Sequence, residues 1–215
     1  MALSSKNLQK KRAKKAEKRK VVKKAKPGLL QSLSFAQEWA QASHGDIEDV
    51  LVPTHIFEEG IGNIWFSRRL PDGRYAMAGF LVDIYCLGIK NALYVISTPE
   101  NYRKNMARIE ARDSEEPMSR EHPAYARKLV ERAEAYAREF GFEPHSDYKV
   151  ARKIFGDVDA ESCPTPFTFG KDGKPYYVCG PNDTPEFQRR VLQKLEKNCG
   201  PDGYHWLIGA PEDDD

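Results

Sequence analysis

The stretch Tyr75-Ala-Met-Ala-Gly-Phe-Leu-Val-Asp-Ile-Tyr85 constrains the fold more than any other. Read as a strand, it places Ala76, Phe80, Val82 and Ile84 on one face and Tyr75, Met77, Leu81 and Tyr85 on the other. Both faces are apolar, so the strand belongs in the interior of a sheet covered on both sides. The turn signal Pro71-Asp72-Gly73 joins it to the preceding run "NIWFSRRL", which predicts a hairpin, and "NALYVIS" predicts a third strand.

Helices are marked by their ends. Thr98-Pro99-Glu100 and Thr184-Pro185-Glu186 each combine an N-cap, a first-turn proline and a first-turn acid. A hairpin followed by this start occurs twice, which shared capping chemistry explains ahead of an internal duplication. "HPAYARKLVERAEAYAREFG" carries an apolar stripe of Leu129, Ala133, Tyr136, Ala137 and Phe140 and a glycine stop at Gly141. "SDYKVARKIFG" predicts a short helix from Ser146 to Gly156, and "LLQSLSFAQEWAQAS" an amphipathic one that docks on the body. A second hairpin is predicted over "PFTFGKDGKPYYVCG". Strands that come in hairpins rather than alternating with helices indicate an α+β fold with antiparallel hairpins and four or five helices.

Charge divides the chain. Residues 1–27 hold ten Lys, two Arg and one Glu, a net of +11. Because the whole chain is only +2, the other 188 residues carry −9. Residues 1–28 therefore read as a disordered basic arm, 29–210 as one α+β domain and 211–215 as an acidic tail. An arm of this composition binds phosphate backbones through Lys10, Lys11, Arg12, Lys14, Lys15, Lys18, Arg19, Lys20, Lys23 and Lys24. RNA or a ribosomal surface is the expected partner, ahead of DNA. No apolar run approaches the ~20 residues of a membrane helix, and the arm has no lipid or apolar anchor to hold a membrane surface. The chain opens without the apolar stretch of a secretory signal, so a cytoplasmic location with reduced thiols is expected.

Several side chains suit chemistry. Asp83 interrupts the apolar strand. It reads as a general acid/base or metal ligand with Lys90 nearby, or as a cap for the following turn or a partner of Arg68 or Arg74. Cys86 reads as a small core residue or a nucleophile. His145 stands beside Asp147 and could share acid/base work. Together these four would centre a hydrolase or nuclease. Arg68, Arg69, Arg74 and Lys90, with Trp65, Tyr75 and Tyr85, could instead make a basic, aromatic sheet face for single-stranded nucleic acid. His205, between Tyr204 and Trp206, reads as a packing residue, and Asp157, Asp159 and Glu161 as an exposed acidic turn. Cys86, Cys163, Cys179 and Cys199 lack zinc-site spacing, no Gly-rich phosphate loop appears, and no cofactor or metal is expected. A protein-interaction role for the acidic body is a third class.

The segments "SRRLPDGRYAMAGFLVDIYCLGIKNA", "GFEPHSDY" and "FTFGKDGKPYYVCGPND" resemble a family of uncharacterised bacterial proteins over about residues 48–207. The resemblance implies one folded unit and brings no activity with it.

Overall fold

A computed structural model describes residues 27–111 and 117–207, with side chains from Phe35 onward. The basic arm from Lys10 to Lys24 and the acidic tail 211–215 lie outside the described residues. The described residues fall into two units, one ending at Gln41 and the other beginning at Ala42. Helix α1 (Pro27–Ala42) is the described element of the first, as its apolar spacing predicts; Phe35 and Trp39, one turn apart, stack within it at 6.4 Å.

The second unit is α+β. Strands β1 (Asp46–Pro53), β2 (Ile61–Arg69), β3 (Tyr75–Asp83), β4 (Gly88–Ser97) and β5 (Met118–Arg120) form an antiparallel sheet in the order β4-β3-β2-β1-β5. The two-sided apolar strand β3 thus lies between two neighbours, as its sequence requires. The Pro71-Asp72-Gly73 turn is made, with Gly73 at φ +82° and Arg69 paired to Tyr75. Strand β1 was not anticipated. Asp46, Glu48 and Asp49 mask it, and only its second half, Val50-Leu51-Val52, is buried.

Helices α2 (Ile56–Glu59), α3 (Pro99–Glu110), α4 (Pro123–Glu139), α5 (Tyr148–Ala151) and α6 (Pro185–Cys199) complete the unit, with 3-10 turns at Arg152–Phe155 and Ala160–Ser162. The Thr98 and Thr184 hydroxyls accept from the amides of Asn101 and Phe187, so both predicted caps form. The helix predicted from Ser146 is shorter: it begins after Asp147 and tightens into the 3-10 turn before Gly156.

One face of the sheet buries Phe66 and Phe80 against Phe155, with ring centroids 5.3 and 5.2 Å apart. On the other face Leu51 and Met77 meet Tyr102 and Met106 of α3, and Tyr75 stacks flat on Tyr102 at 4.1 Å. A polar cluster pins α3 there: the Tyr102 hydroxyl meets Ser67 at 2.8 Å and Asp49, which also pairs with Arg120.

Helix α4 approaches the sheet closely at Gly88. A Cβ on Gly88 would lie 2.7 Å from the Ala137 Cβ and 2.9 Å from the Ala133 carbonyl. Glycine at φ +65° and alanines on the helix make this approach possible. Beside it a second core gathers Cys86, Leu87, Ala137, Phe142, Tyr177, Val191 and Leu195.

The second predicted hairpin does not form. Its turn is present, with Asp172 and Gly173 both at positive φ and Lys171 and Lys174 exchanging backbone hydrogen bonds. The ladder stops there. Pro175 has no amide to donate, and Gly170 turns the other leg at φ +76°. Both legs instead bind the β3–β4 connection, Gly170 N to Ile84 O and Tyr176 N to Tyr85 O. Strand β6 (Tyr176–Val178) then pairs in parallel with β7 (His205–Leu207). Among the described residues no helix is long and apolar enough to cross a membrane.

Candidate functional site

Four candidate side chains surround the connection from β3 to β4, and the fold separates them. Asp83 ends β3, 6% exposed, and its Oδ1 accepts from the amides of Tyr85 at 3.0 Å and Cys86 at 2.9 Å. It therefore caps the turn over residues 84–87. Burial pushes its carboxyl up to about 6, against the pull of the turn amides and the Lys90 charge. Among the described residues no arginine pairs with it. Arg68 donates to the carbonyls of Ile154, Gly45 and Phe155, and Arg74 binds Asp72.

Cys86 is fully buried among Leu87, Ala137, Phe142 and Tyr177. Burial raises its thiol far above the ordinary range, and the nearby Asp83 and Cys199 add to this. A nucleophile needs the opposite shift.

Lys90 has a different setting. Leu81 pairs with Asn91 and Val82 with Ile89, which leaves Lys90 as the extra residue of a β-bulge. Its side chain, 16% exposed, brings Nζ to 3.5 Å from Asp183 Oδ2. That oxygen accepts from the Tyr177 hydroxyl at 2.8 Å and from the Gly180 amide at 3.0 Å. Gly180 gives the ammonium room, since a Cβ there would sit 3.3 Å from Nζ.

His145 docks beside the bulge through its amide, which donates to the Ile89 carbonyl at 2.9 Å. Its Nδ1 accepts from the Asp147 amide at 3.3 Å and lies 3.9 Å from the Asp147 carboxylate.

Lys90 and His145 thus share a cleft of about 600 Å³. Leu87, Ile89, Phe142 and Phe187 supply its apolar wall, and Arg190 and Lys194 of α6 add two cations to its rim. Asp83 and Cys86 do not line it. Asp183, Phe187, Arg190 and Lys194 were not recognised from sequence. Arg190 and Lys194 stand four apart on α6, a spacing that places them on one helix face, but nothing in the sequence joined that face to Lys90.

The basic, aromatic sheet face is not assembled. Arg68 is 3% exposed and points into the body. Arg69 is held by Asp46 and Glu48, and Arg74 by Asp72. Tyr75 is stacked on Tyr102, and the Tyr85 hydroxyl donates to the carbonyls of Phe57 and Glu58. Lys90 lies at the far end of β3 from Arg74, roughly 20 Å away along the strand. His205 is exposed but sets its ring edge-to-face on Tyr176 at 6.4 Å, and Trp206 is exposed. The acidic turn is partly engaged, with Glu161 paired to Arg132. Among the described residues no three His, Cys, Asp or Glu side chains gather as a metal-holding group.

No family model, no curated protein and no solved structure matches this chain significantly.

Proposed function

We propose that this protein associates with nucleic acid, RNA or a ribosomal surface first, by binding phosphate backbone through its basic arm. The partition of charge carries the reading: +11 in residues 1–27 against −9 in the rest. A polyanion is attracted to one segment and repelled by the remainder, so contact is confined to the arm. A hydrolase or nuclease centred on Asp83 has less support. That carboxylate is buried and already accepts two turn amides, and the buried Cys86 thiol is held protonated.

The test is the salt dependence of binding to a single-stranded RNA. With about six phosphate contacts, the slope of log K against log salt is roughly −4, so a fourfold rise in salt weakens binding about a hundredfold or more. Replacing the lysines of residues 1–27 by glutamine abolishes most of the affinity and flattens the slope, whereas arginine replacements keep both. Unchanged affinity and slope in the glutamine variant would overturn the proposal. A complementary check is whether RNA leaves with the untagged protein on purification and is lost after nuclease treatment.

A further inference from the structure

We propose that the cleft beside the bulged Lys90 is a binding site for a nucleotide-class ligand, an aromatic ring carrying one phosphate. The geometry of the cleft is independent of the arm; the choice of a nucleotide over other aromatic phosphates rests on the proposed association with RNA.

Three features make the cleft more than a surface recess. A β-bulge places Lys90 out of alternation, and bulges re-aim side chains at sites of function. Gly180 leaves the space that its ammonium occupies. The cations at the rim are only partly engaged within the protein. Among the described residues Arg190 donates no hydrogen bond to protein; its guanidinium rides over the Phe187 ring at 5.9 Å. Lys194 rides over Phe142 at 5.4 Å and donates one bond, to the Gly141 carbonyl. Each therefore has donors to spare for an anion.

The acids present do not cancel this. Glu143 is paired with Arg138 at 2.9 Å. Asp183 balances Lys90 at 3.5 Å, its Oδ2 also held by the Tyr177 hydroxyl and the Gly180 amide, so the net positive charge of the cleft comes from Arg190 and Lys194. Because Nδ1 of His145 accepts the Asp147 amide, the neutral ring carries its proton on Nε2, a further donor. A phosphate is then met by Lys90 and Arg190, and a planar ring by the apolar wall around Phe187 and Phe142. Stacking and cation–π contact hold bases in this way without reading their sequence.

The probes are adenosine 5′-monophosphate, adenosine and inorganic phosphate, titrated calorimetrically into the full chain at fixed salt. The monophosphate is expected to bind at least about tenfold more tightly than either fragment, since only it uses both halves of the cleft. Lys90→Met and Arg190→Gln should each weaken it about tenfold, the worth of one charge-assisted hydrogen bond. Thermal melting of both variants confirms that they are folded; Arg190 is exposed, so its replacement spares the core. The arm variant with glutamines should bind the monophosphate as the wild type does while losing RNA. This separates the two readings: loss of RNA binding alone tests the arm, and loss of monophosphate binding alone tests the cleft. A 5′-phosphorylated oligoadenylate that competes for the cleft better than its 5′-hydroxyl form identifies an RNA end as the source of the ligand; equal competition identifies the free nucleotide. Adenosine binding as tightly as its monophosphate, or unchanged monophosphate binding in folded Lys90→Met and Arg190→Gln, would overturn the proposal.

Discussion

Asp83 and Lys90 stand at the two ends of one connection, seven residues apart in an apolar segment, and the fold uses them differently. Asp83 is consumed by the turn it closes: its oxygen is taken by two amides and its charge is buried. Lys90 sits on a bulge, opposite an acid 3.5 Å away, with its ammonium lining a cleft. A charged residue among apolar ones signals only that something must satisfy it. Where its hydrogen bonds go decides whether it is scaffold or site.

The largest contrast expected across this connection is kinetic. Cys86, in the turn between the two residues, should react with a thiol reagent on the order of a thousandfold or more slowly in the native state than after unfolding, because access requires opening the core. Rapid native labelling near neutral pH would return Cys86 to the site. Gly88→Ala comes next. It combines a left-handed backbone position with a clash against α4 and should cost about 3 kcal/mol, read as a fall in the urea midpoint. A neutral result would mean that α4 does not approach β4 as described.

Asp83 itself provides the intermediate effect. Asp83→Ala leaves two buried amides without an acceptor and should cost about 2 kcal/mol. Asp83→Asn retains an acceptor, and its difference from wild type should depend on pH. A carboxyl raised from 3.8 to about 6 binds its proton more tightly in the folded state than in the unfolded one. Its contribution to stability is therefore greatest below pH ~4 and declines as pH rises to about 6. The asparagine variant lacks this decline, so it should gain on the wild type between pH 4 and pH 7, by at most about 3 kcal/mol. Urea midpoints at the two pH values measure this. Lys90→Met should cost a comparable amount, on the order of 2 kcal/mol, because the pair it breaks is largely buried and Asp183 is left with neutral donors alone.

Much of the architecture was legible because local chemistry and fold agree. The two-sided apolarity of β3, the Pro71-Asp72-Gly73 turn and the threonine caps each specify one outcome, and each is found. The second hairpin failed where two backbone constraints, at Gly170 and Pro175, overrode a genuine turn signal. From sequence, Arg68 fitted a basic sheet face or a partner of Asp83, but three carbonyls from distant segments take its guanidinium. The cleft was half visible. Lys90 and His145 could be named as candidates from composition alone. The bulge that turns Lys90 outward depends on strand register, and its partners Asp183, Phe187 and Arg190 lie about a hundred residues away in sequence, so no local pattern reports them.

The division between scaffold and site is tested most directly by measuring melting temperature and adenosine 5′-monophosphate affinity side by side, in one buffer at pH 7, for wild type, Asp83→Ala and Lys90→Met. Asp83→Ala should lower the melting temperature and, below its melting range, bind the nucleotide as the wild type does. Lys90→Met should also melt lower than the wild type, but unlike Asp83→Ala it should lose about tenfold in affinity below its melting range. A folded Lys90 variant that binds the nucleotide as the wild type does, beside a folded Asp83 variant that does not, would contradict the account.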